Sequence, residues 1–115
     1  MANIGQQRAP MNQPSDLIEA YAAAADGSEV VRAWYSRIAP TDCLLDAVAI
    51  QLAHDFVNRR IGFQAANGLL NQLMPLIGFD AAPRTFWAYY TAFENHETSV
   101  DPESTARNEV AALLK

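Results

Sequence analysis

Between Thr41 and Arg59 the chain is apolar at Leu45, Val48, Ala49, Leu52 and Phe56. Steps of three and four residues place these side chains on one face of a helix. Ile50, Val57 and Ile61 add a second apolar strip beside the first, which leaves Gln51, His54, Asp55 and Asn58 as the polar stripe. A helix that is apolar over most of its circumference belongs at the centre of a small core. Thr41 is suited to cap it and Asp42 to sit at the favourable end of its dipole. The pattern therefore predicts a central helix over about 42–60.

The same periodicity, punctuated by Gly and Pro, predicts five further helices. Leu17, Ile18, Tyr21 and Ala25 mark one over 16–25, with Ser15 as cap and Asp26-Gly27 as its stop. Val30, Val31, Trp34, Tyr35 and Ile38 mark another over 29–38, capped by Ser28 and ended at Ala39-Pro40 because the residue before proline is pushed out of the helical region. Phe63, Ala66, Leu69, Leu70, Leu73 and Ile77 define a helix over 63–77, whose last turn Pro75 should bend or shorten. Pro83 opens a fifth over 82–96, and Asp101-Pro102-Glu103 is a strong start signal for a sixth over 102–114. Residues 1–14 have two prolines and no periodicity, which predicts a flexible N-terminal tail ahead of a single helical domain over 15–115. No alternating β-branched run is long enough for a strand. The expected fold is all-α, a compact bundle of five to six helices around the 42–60 helix.

Composition narrows the partners more than the chemistry. The net charge is −5, and the eight basic residues are scattered. That disfavours nucleic acid, whose phosphates need gathered Lys and Arg. A helix-turn-helix reading of 64–95 fails on the same ground, because its second helix carries Arg84 against Glu94 and Glu97 and a long apolar side. No segment approaches the ~20 apolar residues of a membrane span, and no secretory leader pattern is visible at the start. One cysteine excludes an internal disulfide and suits a reducing cytoplasm.

Candidate chemistry is sparse. Cys43, near the start of the central helix, has no nucleophile signature around it and reads as a small buried residue. His54 and His96 are the only histidines. A metal set of His96, Glu94, Glu97 and Asp101 matches neither the His-Glu-x-x-His pattern nor a calcium loop, and neither metal nor cofactor is expected. Asp42 and Asp46, one turn apart, could form an acid/base pair or simply favour the helix dipole.

Two surfaces stand out instead. The 82–96 helix carries Phe86, Tyr89, Tyr90 and Phe93 on one side with Trp87 on the flank, where an aromatic can anchor a partner. The outer face of the 63–77 helix carries Gln64, Gly68, Asn71 and Gln72 with no formal charge, and Asn67 lies at its edge. Amides lose less on desolvation than ions do, and Gly68 lowers the profile for a neighbouring backbone. Gln64, Gly68, Asn71, Gln72 and Trp87 are therefore the expected contact residues, either for another protein or for a second copy of the chain. The function that follows is a small acidic cytoplasmic protein-binding module, of inhibitor or immunity type. The alternatives are a small enzyme using carboxylates or His96, and a homo-oligomeric structural protein.

Overall fold

The computed structural model describes residues 13–115. It contains six helices: α1 (Pro14–Ala23), α2 (Gly27–Ile38), α3 (Asp42–Val57), α4 (Phe63–Ile77), α5 (Arg84–Glu94) and α6 (Pro102–Leu113), with a single 3-10 turn, Phe79–Ala81, between α4 and α5. No strand occurs among the described residues. The expected tail falls almost wholly outside them. Its last two positions do not: Gln13 caps α1 and Pro14 begins it.

The bundle is built around α3, which packs against α1, α4, α5 and α6. Leu45, Val48, Ala49, Leu52 and Phe56 are all buried, as their spacing requires. The second strip divides: Ile61 is buried, Val57 is half-buried and Ile50 is exposed. Phe56 meets Phe93 of α5 and Phe63 of α4 at centroid distances of 5.0 and 6.4 Å. Tilted and edge-on aromatic pairs of this kind add to the area they bury. Among the described residues no helix is long and apolar enough to cross a membrane.

Helix ends follow local chemistry in some places and distant residues in others. Thr41 Oγ1 accepts the Leu44 N–H at 3.2 Å, and Asp101 Oδ1 accepts that of Ser104 at 3.3 Å. At α2 the cap is Asp26, which accepts from Ser28 N–H at 3.2 Å, so the helix starts before the expected Ser28. The central helix ends at Val57, short of 60. There Arg59 turns left-handed (φ 63°), its N–H reaches Phe56 O at 3.1 Å, and the Arg60 N–H reaches Asp55 O at 2.8 Å. That is a Schellman closure, a termination usually signalled by glycine.

The starts of α4 and α5 have no local side-chain cap, because Gly62 and Pro83 occupy those positions. Each is capped from another helix instead. Glu103 Oε2 of α6 accepts the Phe63 N–H at 2.7 Å, and Asp46 Oδ1 of α3 accepts the Phe86 N–H at 2.8 Å. Glu103 Oε1 is held in turn by Arg107 Nη2 at 2.7 Å, and the Arg107 guanidinium lies over the Phe56 ring at 4.9 Å.

Candidate functional site

The contact residues expected from the sequence do not form one open surface. Gln64 and Gln72 are exposed on α4. Gly68 is covered from within the chain: a Cβ there would lie 2.5 Å from the Tyr21 hydroxyl oxygen. The same tyrosine ring also fills the space beside Gly27 at the start of α2. The missing side chain at Gly68 thus admits α1 of the same molecule, not the backbone of a neighbour.

Asn71 is likewise engaged. Its Nδ2 donates to Glu97 Oε2 at 3.3 Å, and Asn67 Nδ2 donates to the same oxygen at 2.9 Å. The two amides tie α4 to the segment after α5. Glu94 stands beside them, with its Oε1 buried and without a hydrogen-bond partner. Burial, followed by the neighbouring Glu97 charge, raises its pKa, and the Asn71 amide opposes that shift.

What remains open is an aromatic edge that gathers at the α4–α5 turn. Gly78, with φ 91°, ends α4 in a backbone conformation that side chains avoid. The chain then folds back through the Phe79–Ala81 turn, which sets Phe79 against the first turn of α5. The Phe79 ring meets Trp87 edge-on at 6.1 Å and Tyr90 at 6.1 Å. Trp87 and Tyr90 are themselves 5.7 Å apart. Tyr90 is buried beneath, whereas Phe79 is 58% and Trp87 41% exposed. Leu76, also exposed, lies one helical turn after Gln72 on the same side of α4. Of the expected contact residues, Gln64, Gln72 and Trp87 keep free surface, and of these Trp87 belongs to this edge. Leu76 and Phe79 were not singled out by sequence. The signal available was an aromatic directly after a helix-ending glycine, outside either helical pattern.

Of the candidate chemical groups, Asp46 and His96 are engaged in other contacts, and Cys43 and His54 are exposed. Asp46 Oδ1 caps α5, which gives this carboxylate a structural role. Cys43 is exposed, contrary to the buried position expected of it, because it falls on the outer side of α3 with Ile50 and His54, away from Leu45. His54 is exposed. His96 Nε2 lies 2.7 Å from Glu109 Oε1, and its Nδ1 lies 3.4 Å from Ser99 Oγ. The row resembles a nucleophile, base and acid in outline. The serine contact is longer than the ~2.6–3.2 Å of an activated nucleophile. Ser99 also belongs to the same turn as His96, with its N–H on His96 O at 3.1 Å. The His96–Glu109 contact is the one that spans two elements, joining the end of α5 to α6. No group of three or more His, Cys, Asp or Glu side chains suited to a metal ion occurs among the described residues.

Comparison with protein-family models, with curated proteins and with solved structures returns no match.

Proposed function

We propose that this protein acts by binding another protein through the strip made of Gln72, Leu76, Phe79 and Trp87. The observation that carries this reading is the pair of large aromatic side chains held in fixed contact and left open to solvent. Trp and other aromatics dominate binding energy where they can enter a partner's pocket. A rigid pair loses less conformational freedom on docking than a mobile one. On the exposed side of α4, the uncharged Gln72 and the aliphatic Leu76 add surface that is inexpensive to desolvate. The chain's net charge of −5 favours a partner with a basic surface. The exposed thiol of Cys43 fits a reducing compartment, so we place the protein in the cytoplasm. An inhibitor or immunity-type module is the class that fits best.

Phe79→Ser and Leu76→Ser test this reading; both positions are exposed, and because Phe79 also packs on Trp87 and Tyr90, a melting curve of each variant first establishes that it is folded. Wild type and variants are immobilised and exposed to the source cell's lysate, and captured proteins are identified by mass spectrometry. A protein retained by wild type and lost from both variants supports the reading. Identical captures from all three would refute it. Sedimentation of the purified chain over a range of concentrations separates a foreign partner from a second copy of the chain.

A further inference from the structure

A cleft of about 330 Å³ lies between α1 and the end of α3, and it shares no residue with the aromatic strip. Ile18 and Ala22 of α1 and Ile61 after α3 supply its apolar walls. Asp55 provides a carboxylate whose side chain is only 12% exposed. Its Oδ1 accepts from Gln51 Nε2 at 3.0 Å and from Arg60 Nη1 at 3.1 Å. Glu19 adds a second acidic group to the lining and Ser15 a hydroxyl.

Two features set the sign of the ligand. The cleft carries two carboxylates, Asp55 and Glu19, against one cation, Arg60. The side chain of that cation is 65% exposed and projects from the loop after α3. The carboxylate is largely buried and also held by Gln51, whereas its counter-ion stands mostly in solvent. A cation of suitable shape can therefore replace Arg60 on Asp55 while its apolar part covers Ile18, Ala22 and Ile61. The volume is at the lower end of the ~300–1,000 Å³ typical of small-molecule sites.

We propose that this cleft binds a small organic monocation, a primary ammonium on a short apolar stem. The ammonium takes the place of the Arg60 guanidinium at Asp55, and Arg60 swings to solvent. Exchange of one cation for another keeps Asp55 paired throughout, so no unpaired buried charge is created.

The test uses the full chain, labelled with nitrogen-15, and follows amide shifts as pentylammonium is added. Pentanoate serves as the anionic counterpart of the same length. Shifts should gather on residues 15–22, 51–55 and 60–61, with a Kd on the order of 1 mM. Arg60→Gln removes the resident competitor and should tighten binding about threefold or more. Asp55→Asn should weaken it about tenfold. Ala22→Phe, at an exposed position on the rim, should block the cleft without touching the core and so abolish the shifts. Three results would overturn the proposal: no cleft shifts with pentylammonium, weaker binding by Arg60→Gln, or preferential binding of pentanoate. The Arg60 and Ala22 variants keep the test decisive if Asp55→Asn proves poorly folded.

Discussion

Replacing Glu103 by Ala removes the carboxylate that closes the start of α4 from a different helix. The Phe63 N–H loses an acceptor at 2.7 Å, and Gly62 has no side chain to substitute for it. Loss of a helix cap costs ~0.5–2 kcal/mol, and a hydrogen bond to a charged group contributes ~1.5–3 kcal/mol. Glu103 is 46% exposed, so its contact with Arg107 is screened and adds only ~0–1 kcal/mol. The net expectation is a loss of about 2 kcal/mol. For a domain of this size that lowers the melting temperature by about 8 °C. The pH dependence gives an independent check. The Phe63 N–H, with help from Arg107 and against the cost of burial, holds the Glu103 pKa below its ordinary value. A depressed carboxylate stabilises the fold above its unfolded pKa of ~4.3, and that contribution is lost as pH falls through the lower folded value. Urea melts of wild type and Glu103→Ala should therefore differ fully at pH 7 and converge below about pH 4. Equal midpoints at neutral pH, or a gap that persists unchanged in acid, would refute the capping argument.

Glu94 should behave with the opposite sign. Its pKa is raised by burial and by Glu97, so its ionisation opposes folding as pH rises from the unfolded pKa through the folded one, and the penalty is complete at neutral pH. Glu94→Gln is expected to raise stability by about 1 kcal/mol at pH 7 and by little in acid, measured by urea melts at both. Gly68→Ala should lower the melting temperature, because the new methyl meets the Tyr21 hydroxyl, and combining it with Tyr21→Phe should recover most of the loss. Leu52→Ala, at a fully buried position on the central helix, should cost ~2–5 kcal/mol, and a chemical melt with the same midpoint as wild type would contradict the placement of α3.

The helices were legible because burial repeats with the helical period. Leu45, Leu52 and Phe56 announce the inner face of α3, and the α4 pattern marks its bounds at 63 and 77. Ends were legible where the signal is local, as at Thr41 and Asp101. They were illegible where the signal is tertiary. Nothing near Arg59 announces a left-handed residue, and Asp46 reads as a helix-start acid until Phe86 of α5 is brought to it. The contact surface shows the same limit. An uncharged stripe on α4 is equally consistent with an outside partner and with an internal one, and only the approach of Tyr21 to Gly68 and of Glu97 to Asn71 separates the two. Trp87 on the flank of its helix could be read from spacing alone, whereas Phe79 depends on how the Gly78 turn folds back.

The borrowed caps also bear on how the chain reaches its native state. The first amide of α4 and the third of α5 are satisfied by carboxylates 40 residues away in each case. Neither helix can complete its own start while the donor helix is undocked, so an isolated α4–α5 hairpin would fray at both N-termini. Contacts of such long sequence separation must overcome loop-closure entropy before they return any stability, which slows folding relative to a bundle closed by local turns. They also merge the helices into one opening unit. The Phe63 and Phe86 amides should exchange with solvent deuterium at the rate set by opening of the whole bundle, even though each sits at a helix end, where exchange is ordinarily fastest.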